Sequence, residues 1–272
     1  MRCIVAASNR SVLLLLLAFA SMARANDAPG PEPTDVAFTS KLDGSEQRYV
    51  LIGPPSPSED RPRDLLIALH GHGSDRWQFA RDARDECRAT RDFAARHGMI
   101  FVSPDYRART SWMGPKAEAD LVQIIETLKS QHKIDRVFLC GGSMGGSSTL
   151  TFAALHPDLL HGIASMNGTA NHLEYDQFQD AIAESFGGPK RSIPGEYKKR
   201  SAEYWPERLT MPVALTVGGQ DTVVPPASVR RLAAILKTLD RPILLLDRPA
   251  GGHSTTYDDA LAILEFMFKN AK

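Results

Sequence analysis

Three residues spread over the chain carry side chains that can act together as nucleophile, base and orienting acid: Ser143, Asp221 and His253. Ser143 sits in Gly141-Gly-Ser-Met-Gly145, a G-x-S-x-G pattern with the apolar run Val137-Phe-Leu-Cys140 before it and a helix-like stretch after it. Glycine at those spacings lets neighbouring backbone approach a sharp turn, so that the serine hydroxyl projects from the end of a strand. The amide of Met144 then lies at a helix N-terminus, where it faces developing negative charge. A serine hydroxyl is a weak nucleophile unless a base takes its proton and a further group holds that base. Asp221, in Gly218-Gly-Gln-Asp-Thr-Val-Val-Pro-Pro226, and His253, in Gly251-Gly-His-Ser-Thr-Thr-Tyr257, are the residues that can supply both. Taken singly, Asp221 could cap a turn and His253 could be an exposed loop residue; their joint occurrence after successive strands argues for the relay.

The cluster Leu69-His-Gly-His-Gly73 offers a backbone donor for the tetrahedral oxyanion, with His72 as the expected amide beside that of Met144 and Gly73 as the next candidate. A rival reading makes His70 and His72 an H-x-H metal pair, but Asp75 is one place too late for H-x-H-x-D-H, and no further histidine pair completes a site. A phosphate-binding glycine turn would need G-x-x-x-x-G-K-[ST] or G-x-G-x-x-G, and neither is present. Asn167 and Trp112, each following a strand, are candidate substrate-binding residues. The remaining histidines, at 97, 132, 156, 161 and 172, read as surface or satisfied core residues.

These residues need elements to hold them. The alternation from Asp64 onward supplies strands at Leu65–Leu69, Met99–Ser103, Val137–Cys140, Gly162–Met166, Val213–Val217 and Ile243–Leu246. Helices are expected over Trp77–His97, Pro115–His132, Ser147–His156, Ala227–Leu239 and Tyr257–Lys269. An antiparallel hairpin precedes them, Val36–Leu42 and Glu46–Ile52 around the Asp43-Gly44 turn. The pattern predicts an α/β fold: a mostly parallel central sheet with helices on both faces and an N-terminal hairpin. In such a sheet ligands meet the carboxyl ends of the strands, where every candidate residue falls. Residues 169–210 are long for a connection and read as a cap insertion, and its charges, among them Glu174, Asp176, Lys190, Lys199 and Arg200, predict a polar one.

The N-terminus has its own signature. Arg2 and Arg10 precede the apolar run Val12–Ala20, and Ala23-Arg-Ala25 fits a cleavage site, which predicts a signal peptide cut after about Ala25 and a secreted or periplasmic protein. Cys3 lies ahead of the apolar run, which argues against a lipid anchor. Residues 26–34, rich in proline and polar residues, read as a disordered lead-in to a single domain over 35–272. The whole chain has 32 basic and 32 acidic residues; the leader takes three arginines and no acids, leaving a net charge of −3 that points to neither nucleic acid nor an anionic membrane. Cys87 and Cys140 read as free thiols, buried or half-buried.

Together LHGHGSD, GGSMGG, GQDTVVPP and GGHSTTY resemble the α/β-hydrolase superfamily, and most of all its secreted esterase and prolyl-oligopeptidase-like branch. The resemblance implies acylation of Ser143, with His253 as general base and then acid, Asp221 orienting it, and no cofactor. With only Asn26 to Arg63 ahead of the catalytic fold, no propeller domain is expected. The substrate expected is a small-molecule or carbohydrate-linked carboxylic ester, such as acetyl or feruloyl groups on polysaccharide. A prolyl-oligopeptidase-like peptidase is the alternative, followed by a metal-dependent hydrolase or a non-catalytic binding protein.

Overall fold

The computed structural model describes residues 32–53 and 61–272. The leader, most of the lead-in and residues 54–60 therefore lie outside the described residues. Eight strands form one sheet: β1 (Thr34–Thr39), β2 (Glu46–Ile52), β3 (Arg63–Leu69), β4 (Ile100–Pro104), β5 (Ile134–Gly142), β6 (Gly162–Met166), β7 (Val213–Gly218) and β8 (Ile243–Arg248). Their order is β1-β2-β4-β3-β5-β6-β7-β8. The β1–β2 and β2–β4 pairs are antiparallel and all later pairs parallel. This is the α/β-hydrolase fold that the sequence predicts.

The helices are α1 (Trp77–Arg81), α2 (Asp85–Arg96), α3 (Pro115–Gln131), α4 (Met144–Leu155), α5 (Gln179–Phe186), α6 (Pro194–Lys199), α7 (Ala227–Thr238) and α8 (Tyr257–Asn270). Successive strand side chains point to opposite faces, and β3 shows the result. Leu65, Ile67 and Leu69 join a core with α3, α4 and α7, whereas Leu66 and Ala68 join a second core with α2 and α8. Cys87 and Cys140 lie buried as free thiols in that second core, and burial pushes the Cys87 thiol up to about 12.

Strand β1 starts at Thr34, inside the expected lead-in, and ends at Thr39 rather than Leu42, β5 extends beyond Val137–Cys140 at both ends, and two helices differ from the sequence reading. The helix predicted over Trp77–His97 is two helices, because the Asp82 carboxylate accepts from the Arg84 amide (2.9 Å) and guanidinium, turning the chain before α2 begins. The helix expected at Ser147 starts at Met144, directly after the serine. All of α4 from Met144 to Ala154 is buried, so no polar stripe marks its first turn.

The insertion folds as α5, α6 and short 3-10 turns. Its Arg200 is not on the surface as a polar cap would have it. The guanidinium is fully buried, donating to Glu118 Oε2 (2.7 Å), Glu196 Oε1 (2.7 Å) and the Met113 carbonyl (2.7 Å). Glu118 also bonds His156 Nε2 at 2.9 Å. Burial works to raise the Glu118 carboxyl, but the His156 hydrogen bond and the Arg200 charge outweigh it and hold it at about 2. This ion cluster fastens the cap to the start of α3.

Candidate active site

Strand β5 runs through the centre of the sheet and ends in a buried Gly141 and a half-buried Gly142 that precede Ser143. Ser143 adopts φ 58° and ψ −117°, a conformation costly for a residue with a Cβ. Its amide donates to the Met166 carbonyl at the end of β6 (2.8 Å), which pins the turn. At the second residue of α4, a Cβ on Gly145 would lie 2.0 Å from the Leu69 carbonyl oxygen. Only glycine lets the helix pack this closely against the end of β3, and that packing sets where the serine projects.

Beyond β7, Asp221 is buried with 5% of its surface exposed. Its Oδ1 accepts from the amides of Val223 and Val224, both at 2.9 Å, and its Oδ2 faces His253 Nδ1 at 2.6 Å. The other ring nitrogen, His253 Nε2, lies 2.8 Å from Ser143 Oγ. Two backbone donors on Oδ1 leave Oδ2 as acceptor for an Nδ1–H, so Nε2 is the free base that faces the serine proton. The loops bearing the two residues touch backbone to backbone: a Cβ on Gly218 would sit 2.1 Å from the Gly252 carbonyl oxygen.

Asn167, taken from the sequence as a substrate-binding candidate, joins these loops. Its Nδ2 donates to the Gly252 carbonyl (3.3 Å) and reaches Asp221 Oδ2 at 3.5 Å; its Oδ1 accepts from Thr216 (3.1 Å) and Thr255 (2.6 Å). It reaches the cleft edge with 5% of its surface exposed. Trp112, the other candidate, is fully buried and stands behind the cleft wall. Its Nε1 donates to His72 Nδ1 (3.2 Å), and its ring packs against Phe178 with centroids 5.6 Å apart. Burial lowers the His72 pKa, in keeping with a neutral ring that accepts at Nδ1.

The His70–Gly73 loop lies against the serine turn. Gln78 Oε1 accepts from the Gly71 amide (2.7 Å), and the Gly73 amide donates to the Arg109 carbonyl (2.9 Å). Between them the His72 amide has no partner among the described residues, and neither does the Met144 amide at the first position of α4. The two ring nitrogens of His70 face the carbonyls of Gly71 (2.8 Å) and Asp105 (3.1 Å) deep in the core. Among the described residues no group of three or more histidines, cysteines or acids is placed to hold a metal ion.

Ser143 and His253 open into a cleft of about 450 Å³. Phe178 and Val223, two of the large apolar residues that remain exposed, form one wall; Ser74, Arg84 and Glu86 belong to its polar side. Sequence reasoning did not single out Phe178, Arg84 or Glu86. Phe178 lies in the insertion at φ 53° and meets the His72 ring at 4.3 Å, a long-range contact with no local signal.

Residues 87–272 match the model of the prolyl oligopeptidase family. The chain belongs to this family. The matched span contains Ser143, Asp221 and His253, while the His70–Gly73 loop precedes it. No curated protein matches the chain significantly. Among solved structures, this family member is similar to the fluorophosphonate-binding serine hydrolase F of Staphylococcus aureus, at 18% identity over 89% of this chain and 100% of that one, TM-score 0.70. It is also similar to an S-formylglutathione hydrolase from Agrobacterium tumefaciens, at 16% identity over 90% of this chain and 95% of that one, TM-score 0.69. A puromycin-hydrolyzing peptidase of Mycobacterium tuberculosis matches at 20% identity over 89% of this chain, TM-score 0.70, but the chain spans only 39% of its length. These likenesses establish the α/β-hydrolase fold.

Proposed function

We propose that this serine hydrolase cleaves carboxylic esters through an acyl-enzyme on Ser143. The observation that carries the reading is the unbroken chain from Ser143 Oγ through His253, at 2.8 Å and 2.6 Å, to a buried Asp221. In the proposed sequence, Ser143 Oγ attacks the acyl carbon as its proton passes to His253 Nε2. The oxyanion meets the amides of His72 and Met144, and Asp221 stabilises the imidazolium. His253 then gives the proton to the departing alcohol, and water releases the acid through the same steps in reverse.

An ester substrate is supported by the likeness to the S-formylglutathione hydrolase over 95% of that chain and by the modest cleft of about 450 Å³. An acetyl or feruloyl ester linked to carbohydrate fits a cleft with one apolar and one polar side. Family membership favours a second reading, cleavage of peptide amides. The basic, apolar and small-residue segments of residues 2–25 support export from the cytoplasm as part of the same proposal.

A panel of p-nitrophenyl esters and peptide p-nitroanilides, run on the protein and on Ser143→Ala, separates the readings. The ester reading expects kcat/KM for esters to exceed that for amides by orders of magnitude, with both lost in the variant. Comparable amide turnover would make the protein a peptidase.

A further inference from the structure

The polar side of the cleft holds Arg84 and Glu86, and the arginine is hydrogen-bonded to Asp82 rather than to Glu86. At the turn into α2, Asp82 is paired with Arg84 through two guanidinium bonds of 2.9 and 2.7 Å, and Asp85 is paired with Arg88 at 3.0 Å. Arg91 is turned away to the Phe79 carbonyl (2.9 Å). Glu86 is left over. Its side chain is 17% exposed, its closest cation is Arg84 Nη1 at 4.0 Å, and among the described residues no other residue donates a hydrogen bond to its carboxylate. Burial raises its pKa; the Arg84 charge opposes that rise, and Asp82 and Asp85 add to it.

Position gives this carboxylate a use. Glu86 lines the same cleft as Ser143 and His253. Its helix, α2, packs on α8, which starts at Tyr257, four residues beyond His253, and the Arg88 guanidinium two residues after Glu86 lies 4.9 Å over the Tyr257 ring. His253 must reach the leaving group to protonate it, so the histidine's side of the cleft is where that group leaves. The apolar wall of Phe178 and Val223 comes from the cap and the aspartate loop, where Tyr175 donates to the Val223 carbonyl (3.0 Å).

We propose that Glu86 selects substrates whose leaving group carries a cationic ammonium. The inference rests on the assignment of Ser143 and His253 above. A cation on the leaving alcohol, thiol or amine supplies a closer counter-charge than Arg84 at 4.0 Å, in a partly desolvated site where a single pairing of this kind is worth about tenfold in affinity or more.

The test compares two thioesters of the same acyl group, acetylthiocholine and its neutral carbon isostere S-(3,3-dimethylbutyl) thioacetate, in the native protein and in Glu86→Gln. The ratio of their kcat/KM values is read, because a folding defect lowers both rates and leaves the ratio unchanged. The expected result is a ratio of at least roughly ten for the native protein that falls towards one in Glu86→Gln and shrinks with added salt. A native ratio near one, or a preference for the cation that survives in Glu86→Gln, would overturn the proposal. Failure of the native protein to cleave either thioester or to react with a fluorophosphonate would instead remove the esterase reading on which it rests.

Discussion

Gly145→Ala tests the claim that close packing of α4 on β3 positions Ser143. The added Cβ would lie 2.0 Å from the Leu69 carbonyl oxygen, where ordinary contact begins at 3.4 Å, so the helix must move by roughly 1.4 Å. It would also lie 2.8 Å from the His70 carbonyl oxygen, so the displacement is directed at the loop that carries the His72 amide. Overpacking of this kind costs about 3 kcal/mol, which lowers Tm by about 6 to 12 °C in a domain of this size. A shift of about 1 Å between serine and oxyanion donor costs on the order of 100-fold in rate. Gly142→Ala is the control: its Cβ would meet only the Phe79 ring, at 3.8 Å, so Tm should change by no more than about 3 °C. Thermal unfolding and the rate of fluorophosphonate labelling, measured on both variants, decide the matter. If Gly145→Ala matched Gly142→Ala in both, the account of the turn would be wrong.

Other predictions follow from the same contacts. Asp221→Asn can keep the two backbone bonds at Oδ1, but it turns an amide N–H towards His253 Nδ1. That selects the wrong tautomer, so kcat should fall by about 10⁴ with little change in Tm; a normal kcat would show that Asp221 does not orient the base. Asn167→Ala removes the link between the two loops, and kcat should drop roughly 10- to 100-fold at nearly constant KM. A rise in KM alone would return Asn167 to substrate binding. Glu118, held at about 2 against an ordinary 4.5, stabilises the fold fully above pH 4.5 and loses that contribution as pH falls towards 2. Glu118→Gln should therefore cost about 3 kcal/mol at pH 7 and flatten the acid limb of a denaturation curve. An acid limb unchanged in the variant would place the sensitive group elsewhere.

The sequence exposes those features that local chemistry dictates. Apolar runs bounded by glycine and proline locate the parallel strands, and Gly141, Gly145 and Gly146 mark the Ser143 turn because no other residue allows such close backbone approach there. The loops of Asp221 and His253 are legible because their residues follow strands whose ends must share one edge. Contacts that depend on distant elements are not. Trp112 reads from the sequence as a candidate pocket residue, yet it is buried against Tyr175 and Phe178 from an insertion more than sixty residues on. Arg200 reads as one surface charge among many until Glu118 and the Met113 carbonyl surround it. Glu86 stands out only when the partners of Asp82 and Asp85 are known.

The central claim is that the geometry around Ser143 activates its hydroxyl. It is tested most directly by incubating the folded protein with a fluorophosphonate, measuring intact mass, and mapping any adduct by peptide analysis, with His253→Ala alongside. The account predicts a single adduct on Ser143 that forms rapidly in the native protein and is lost in His253→Ala. A folded native protein that stays unlabelled, or an adduct at another residue, would contradict it.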